Sequence, residues 1–221
     1  MDKEISIQKN IILDEIINAR RTHRKFKPEF PSENDINSII NAGLHAPFAA
    51  AALIKEEDYF RRFYVMKKDS KSMLTVASLI FEEVIKMASN LEFAMERDSE
   101  FHQQAIGFAK RLEMIKKIGK VPGVGSAPYF IVVAEKKGFP AVEQQSIAHC
   151  LENMWLKATA LGLGFQLVSA TSQMDDNSEF CSLLGINPGE WAFNGCAIGY
   201  PDEELCHSIR PLFEKVTYWL E

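Results

Sequence analysis

Apolar residues recur every three or four positions over five segments of the chain, which is the spacing of amphipathic helices. These segments span residues 11–20, 32–46, 73–95, 103–118 and 143–161. Ser32 followed by Asp35 resembles a capping box at the start of the second helix, and this helix must end before Pro47. The 143–161 segment is apolar on more than one face, so we expect that helix to be central or at an interface. The glycines of Leu161-Gly162-Leu163-Gly164 end it.

Four shorter apolar or β-branched runs predict strands, at residues 62–67, 129–134, 165–170 and 191–198. The run at 129–134 is continuously apolar, as expected of a strand that is covered on both faces. A short helix is predicted near 177–184, and the closing segment 210–221 is amphipathic and could reach a partner. No repeat or linker divides the sequence. We therefore predict one α+β domain over residues 1–221, with a helical excursion at 73–118.

Composition excludes several classes of protein. The chain has 221 residues, of which 47% are hydrophobic and 25% charged, so it is not disordered, collagen-like or a disulfide-rich miniprotein. Its net charge of −5 provides no long-range attraction to nucleic acids or anionic membranes. No apolar run is long enough to cross a membrane, and the first ten residues do not resemble a signal peptide. We expect a soluble, cytoplasmic protein.

Common catalytic and metal-binding motifs are missing from the sequence. Gly123-Val124-Gly125 and the LGLG segment are only fragments of a dinucleotide-binding fingerprint, and they are more typical of turns and helix ends. No GxxxxGK[ST], GxSxG or HExxH pattern occurs, and the five histidines are dispersed. We predict no metal site, and we expect the four cysteines, which lack CxxC spacing, to be reduced and buried.

The most unusual local feature is a basic segment at residues 20–27, RRTHRKFK, which holds five of the 25 lysines and arginines. One interpretation is a solvated helix C-terminus, where cations interact favourably with the helix dipole. The other is an anion site, because guanidinium groups bind phosphate oxygens in a bidentate manner and Thr22 adds a hydroxyl donor. Composition alone does not choose between them.

The order of several short motifs resembles the nitroreductase family of flavin-dependent oxidoreductases. After the basic segment come Ala46-Pro47, Ala127-Pro128, Glu152-Asn153-Met154, LGLG, the IGYP of residues 198–201, and Arg210-Pro211-Leu212. The family carries RRSxRxF, APSxxNxQPW, QNL, LGLG, GYP and RxPL elements in this order. The resemblance extends over about residues 12–219. Each motif alone is weak, and their order and spacing carry the resemblance.

The resemblance implies a homodimer of α+β subunits, each with a mostly antiparallel sheet flanked by helices, and FMN bound at the subunit interface. The residues that match the family's FMN phosphate and pyrimidine contacts are Arg20, Arg21, Thr22, Arg24 and Arg210. Those that match the stretch over one flavin face are Val168, Ser169 and Ala170. Those that match the segment contributed by the partner subunit are Pro47, Phe48, Ala49 and Ala51.

The implied chemistry explains the missing catalytic motifs. A flavin carries the hydride itself, so the protein supplies position and charge rather than a nucleophile, and no catalytic residue is assigned. The family resemblance implies ping-pong hydride transfer from NAD(P)H to a nitroaromatic, a quinone or a similar acceptor. Arg24 would favour negative charge on the pyrimidine edge of the ring. The helices at 73–118 either form a lid over the site or only enlarge the core, and the resemblance favours a lid that shapes the substrate pocket.

The second motif departs from the family pattern. Phe48 stands where the family has serine, Ala51 where it has asparagine, and the following Gln-Pro-Trp is absent. Losing two or three hydrogen bonds of about 1 kcal/mol each would weaken FMN binding by roughly 10- to 1000-fold without compensation. The sequence therefore leaves a second hypothesis open, a flavin-free family member that acts as a binding or regulatory dimer.

Overall fold

The computed structural model describes residues 3–48, 59–206 and 208–220. The helices within these ranges are α1 (Lys3–Ala19), α2 (Glu33–Leu44), α3 (Lys71–Arg97), α4 (Ser99–Ile118), α5 (Glu143–Ala160) and α6 (Ser178–Leu184). The strands are β1 (Arg61–Lys67), β2 (Tyr129–Lys136), β3 (Gly164–Val168) and β4 (Trp191–Gly199). Two short 3-10 helices span Ser169–Gln173 and Phe213–Lys215.

The four strands form one antiparallel sheet in the order β1-β2-β4-β3. This confirms the predicted α+β fold with an antiparallel sheet. Alternate β2 side chains enter two cores, with Val132 on the side of α3, α4 and α6 and Val133 on the side of α2 and α5. The continuously apolar sequence of β2 is thus explained by helices on both faces of the sheet.

Helix α5 lies between α2 and the sheet, as its apolar residues on more than one face predicted. Ile147, Cys150 and Met154 on this helix are completely buried. Gly43 of α2 permits the close approach, because an added Cβ there would lie 2.9 Å from both Cys150 Sγ and Met154 Cγ. Helix α5 therefore joins one helical layer to the centre of the sheet.

Several predicted boundaries and environments differ from the structure. Helix α1 begins at Lys3, eight residues before the predicted start, and the apolar side chains Ile12, Leu13 and Ile17 on it are about half exposed. Strand β3 ends at Val168, so Ser169 and Ala170 belong to a 3-10 helix, where the Ser172 hydroxyl donates to the Ser169 carbonyl at 2.8 Å. Such side-chain to backbone bonds compete with strand pairing. None of the described helices is long and apolar enough to span a membrane.

The cysteine prediction holds at three of four positions. Cys150, Cys181 and Cys196 are buried free thiols, whereas Cys206 is free but exposed. The expectation of a buried thiol was wrong at Cys206 because it lies in the irregular segment after β4, which packs little against the core.

A buried ion pair fixes the end of α2 against the sheet. Arg61 Nε on β1 lies 2.6 Å from Glu135 Oε1 on β2, and both side chains are completely buried. The Arg61 guanidinium also donates to the carbonyl oxygens of Gly43 at 2.7 Å and Ala46 at 3.2 Å, and to Ser146 Oγ at 3.3 Å. Arg61 thereby satisfies carbonyl groups at the C-terminal end of α2, immediately before Pro47.

Replacing Arg61 with methionine should lower the free energy of unfolding by about 3–5 kcal/mol, because the Glu135 carboxylate would remain buried without its partner. Urea denaturation followed by circular dichroism would measure the change. Lys67→Met is the matched control. It breaks an ion pair of the same 2.6 Å length between Lys67 and Glu33, which is largely exposed and should hardly affect the midpoint. Equal effects of the two substitutions would contradict this assignment.

Candidate functional site

The basic segment 20–27 contacts the free edge of strand β3 and then the residues that follow β4. Helix α1 ends at Ala19 without a basic residue in its last turn, so the interpretation as a solvated helix end is wrong for most of the segment. Thr22 instead forms a parallel bridge with Phe165, and the His23 N–H donates to the Phe165 carbonyl at 3.0 Å. Beyond this bridge the segment leaves β3: the Lys27 N–H donates to the Tyr200 carbonyl at 2.9 Å, and Phe26 pairs with Pro201, which follows β4.

Trp155 of α5 holds the beginning of this segment. Its indole N–H donates to the Arg21 carbonyl at 3.2 Å, and its ring stacks on Phe165 at 5.0 Å. The Arg20 guanidinium lies 4.4 Å above the same ring, and Arg20 Nε is 3.2 Å from Glu152 Oε1. The charge of Arg20 is thus partly satisfied within the subunit. Trp155 belongs to the predicted apolar helix at 143–161, but its indole contact depends on tertiary structure and has no local sequence signal.

Glu203 holds the middle of the segment from the other side. One oxygen, Glu203 Oε1, accepts the N–H of Arg24 at 2.6 Å and of Lys25 at 3.2 Å. Burial opposes ionisation of this carboxyl, but these two bonds and the nearby charges of His23 and Lys25 outweigh it and lower the Glu203 pKa. No local pattern predicts this contact, which joins residues 179 positions apart.

A pocket of about 410 Å³ opens where this segment, the end of β3 and the α3–α4 pair meet. Four predicted cofactor residues line it together: Arg24, Val168, Ser169 and Ala170. The remaining wall comes mainly from Val84 and Met87 of α3 and from Phe108, Arg111, Met114 and Ile115 of α4. The α3–α4 pair therefore shapes the pocket, as expected of the helices at 73–118.

Gln166 and Arg21 each contain a buried polar atom without a partner among the described residues. Gln166 Nε2 donates to the Pro122 carbonyl at 2.9 Å, but its Oε1 accepts no hydrogen bond. Arg21 Nη1 is likewise buried without an acceptor. A buried donor without an acceptor costs about 1–3 kcal/mol, which makes Arg21 Nη1 a candidate contact for an anionic group.

The other predicted site residues are not gathered at the pocket. Arg210 is exposed and forms no ion pair or hydrogen bond within the described part of the chain. Pro47 and Phe48 follow α2, and the Phe48 ring lies 3.9 Å from that of Phe60 rather than in the pocket. The predictions for Ala49 and Ala51 lie outside the described residues.

Metal-binding geometry is missing from residues 3–48, 59–206 and 208–220, where no group of three or more His, Cys, Asp or Glu side chains could hold an ion. The candidate site is therefore defined by two elements only, the basic segment at the edge of β3 and the pocket beside it.

A family model described as the nitroreductase family matches residues 17–200, which include the basic segment, the sheet and the pocket. The chain belongs to the nitroreductase family. Curated proteins gave no significant match to the sequence. The fold of this family member is nevertheless widespread among solved structures.

Two bacterial nitroreductases solved with bound FMN are similar to it. The one from Bacteroides fragilis has 20% sequence identity and a TM-score of 0.65, with 95% of this chain and 98% of that chain covered. The one from Desulfitobacterium hafniense has 18% identity and a TM-score of 0.64, with the same shares covered. An iodotyrosine deiodinase bound to FMN and 3-iodo-L-tyrosine has 19% identity and a TM-score of 0.65, with 95% and 99% covered. At these identities the likeness establishes the nitroreductase fold.

Replacing Glu203 with glutamine should destabilise this nitroreductase-family subunit by about 1 kcal/mol at neutral pH, because the amide oxygen is a weaker acceptor than a carboxylate. A carboxyl whose pKa is lowered by folding stabilises the protein above its ordinary pKa, and this contribution is lost as the pH falls through the folded-state value. The difference between wild type and Glu203→Gln should therefore be largest at neutral pH and disappear in acid.

Urea denaturation between pH 7 and about pH 3 would measure this difference. Glu204→Gln is the matched control, since it removes a neighbouring exposed carboxylate that accepts no hydrogen bond from the basic segment. A difference between wild type and Glu203→Gln that is the same at every pH would argue against the ionised Glu203 as the acceptor.

Proposed function

We propose that this nitroreductase-family protein is an FMN-dependent oxidoreductase that transfers a hydride from NAD(P)H to a nitroaromatic, a quinone or a similar acceptor. The observation that carries the proposal is the convergence of Arg24 with Val168, Ser169 and Ala170 at one pocket of about 410 Å³. Arg24 lies more than 140 positions before the other three residues, and all four match FMN contacts of the family. The FMN bound by similar structures supports the same assignment.

The residues of the described chain suit a phosphate-bearing flavin. Arg21 Nη1 is a buried donor that lacks an acceptor, and the Arg24 guanidinium has no ion pair or hydrogen bond among the described residues. No carboxylate of the described chain lines the pocket. Arginines without acidic partners attract and orient an anion, whereas paired arginines would first have to break existing contacts.

Each element has a separate role in holding the cofactor. Arg21, Thr22 and Arg210 would hold the phosphate, with Arg20 contributing from its position above Trp155. Arg24 would place a positive charge at the pyrimidine edge, and Val168, Ser169 and Ala170 would support one face of the ring. Pro47 and Phe48 would be supplied by the partner subunit. When bound, FMN supplies the ring that accepts a hydride and passes it on.

The rest of the pocket provides a place for donor and acceptor to bind in turn. Apolar side chains such as Met87, Phe108 and Ile115 exclude water and pack against flat, apolar ligands. Arg24 and Arg111 are the charged groups among the described lining residues, and neither is placed as a nucleophile or an acid–base catalyst. This arrangement favours ping-pong kinetics, because one pocket is shared between the reduced nicotinamide and the acceptor.

Absorption spectroscopy tests the proposal directly. Protein reconstituted with FMN and freed of excess ligand should be yellow, should oxidise NAD(P)H in the presence of a quinone, and should give parallel double-reciprocal plots. Protein that stays colourless after incubation with FMN would overturn the proposal and favour the flavin-free regulatory dimer.

Arg24→Ala should weaken FMN binding by about 10- to 100-fold, because a charge-assisted contact would be lost. Quenching of flavin fluorescence on titration with protein would measure the dissociation constant. Lys27→Ala removes an equal charge from the same segment outside the predicted contacts, and should change affinity little. Equal affinity in Arg24→Ala and wild type would remove Arg24 from the site.

We also propose a cytoplasmic homodimer. Within the described chain, α1 and the C-terminal segment leave large apolar side chains uncovered, including Ile5, Ile7 and Ile12 on α1. In the C-terminal segment, Trp219 is 86% and Leu220 95% exposed. Burial of these side chains against a second subunit would remove them from water. The free cysteines fit a reducing compartment.

The double variant Trp219→Asp/Leu220→Asp should shift the protein from dimer to monomer, because two charges would enter the proposed interface. Light scattering coupled to size-exclusion chromatography would measure the mass. Leu74→Asp, at an exposed position of α3, is the matched control and should remain dimeric. A monomeric wild type, or an equal shift in both variants, would contradict the proposed interface.

A further inference from the structure

Arg111 differs from the other basic residues of helix α4 in its charge environment. Lys110, Lys116 and Lys117 all lie three or four positions from Glu113, and Lys116 Nζ is 3.5 Å from a Glu113 oxygen. The neighbours of Arg111 at these spacings are uncharged: Gly107, Phe108, Met114 and Ile115. Residues at these spacings lie on the same helix face, so Arg111 carries an unneutralised charge on an apolar stripe.

The apolar stripe that contains Arg111 faces the pocket. Phe108, Arg111, Met114 and Ile115 all line it, together with Ile118 one turn further on. Within the described part of the chain the Arg111 guanidinium forms no ion pair or hydrogen bond. Arg111 is exposed and lines the pocket, so its guanidinium is accessible to a ligand bound there. The pocket wall therefore combines apolar area with one fork-shaped donor.

We propose that the electron acceptor of this protein is a compact aromatic molecule that carries a carboxylate, and that Arg111 binds this carboxylate. This inference rests on the proposed function. The apolar residues around Arg111 would cover the aromatic body, and the guanidinium would receive both carboxylate oxygens. The pocket of about 410 Å³ would also hold part of the flavin ring, so the space that remains suits an acceptor of one or two rings.

The two arginines of the pocket come from different elements and serve different ligands. Arg24 belongs to the basic segment that carries the predicted FMN contacts, and Glu203 fixes its backbone. Arg111 belongs to the α3–α4 pair, where no cofactor contact is predicted. The Arg111 guanidinium could also bind the phosphate of FMN or of the dinucleotide donor. The experiment must therefore separate these two anions from the carboxylate of the acceptor.

A nitroaromatic carboxylate provides a suitable probe because its reduction balances with the proposed donor. One reduced nicotinamide supplies two electrons as a hydride, and one further proton comes from solvent. One N–O bond of the nitro group breaks, its oxygen leaves as water, and the nitro group becomes a nitroso group. The carboxylate takes no part in this reaction, so an effect of Arg111 on it is an effect on binding.

The experiment compares para-nitrobenzoate with para-nitrobenzamide, which has nearly the same shape but no charge. Both probes are titrated calorimetrically into the FMN-loaded wild type, Arg111→Ala, Arg111→Lys and Lys110→Ala. The kcat/KM is then measured for each probe with each protein. Lys110→Ala is the matched control, because it removes the same charge from the same helix. Lys110 borders a different groove, together with Ile106 and Lys117. Affinities for FMN, NADH and NADPH are measured in parallel.

Arg111→Ala should weaken binding of para-nitrobenzoate, and lower its kcat/KM, by about 10- to 30-fold, and change either value for para-nitrobenzamide less than about twofold. Arg111→Lys should lie between Arg111→Ala and wild type, since it keeps the charge but loses the fork. Lys110→Ala should behave as wild type.

Three results would overturn the inference while leaving the proposed function standing: equal losses for both probes, equal losses in Lys110→Ala, or a loss of FMN or NAD(P)H affinity as large as the loss for para-nitrobenzoate. A preference of the wild type for para-nitrobenzamide would also overturn the inference, if the same protein binds FMN and oxidises NAD(P)H with a quinone. Protein that holds no FMN would overturn the proposed function, and the calorimetric comparison on that protein would still decide whether Arg111 selects the carboxylate.

Discussion

The candidate site depends on the parallel contact between Thr22 and Phe165 at the edge of the sheet. Strand β3 is paired to β4 on its other side, so it provides a rigid edge for the basic segment. Gly164 makes the approach possible, because an added Cβ there would lie 3.0 Å from the Cβ of His23. From this contact onward the backbone is held by the segment after β4, through Glu203 and Tyr200, and the Arg24 side chain lines the pocket together with Val168.

This contact also divides the positive charges of the basic segment into two groups. Arg20 lies over Trp155 and beside Glu152, so part of its charge is used to attach the segment to α5. Arg21 Nη1 and the Arg24 guanidinium remain without partners among the described residues. A chain with a net charge of −5 thus keeps unpaired cations at one place, because neighbouring acids such as Glu203 bind the backbone of the segment rather than its guanidinium groups.

Sequence patterns predicted the elements whose burial is periodic or continuous, such as β2 and α5. They also identified the basic segment and its family, because the motifs depend on local order along the chain. Contacts of Trp155, Glu203 and Arg111 could not be predicted, since each depends on which residues the sheet and helices bring together. The end of β3 at Val168 was missed for a local reason, because serine side chains after it bond to the backbone and favour a 3-10 turn.

The altered second motif is best understood together with Arg61. The family's polar residues after Ala46-Pro47 are replaced here by Phe48 and alanines, yet Arg61 still holds the carbonyl of Ala46 at 3.2 Å, and its partner Glu135 is fully buried. The backbone immediately before this segment is therefore fixed by a buried interaction, while the polar residue types of the family are absent from the sequence that follows. Loss of polar contacts at one end of a ligand shifts the binding free energy to the contacts that remain. In this chain those are the guanidinium groups of the basic segment, with Arg21 proposed for the phosphate and Arg24 for the pyrimidine edge of the cofactor.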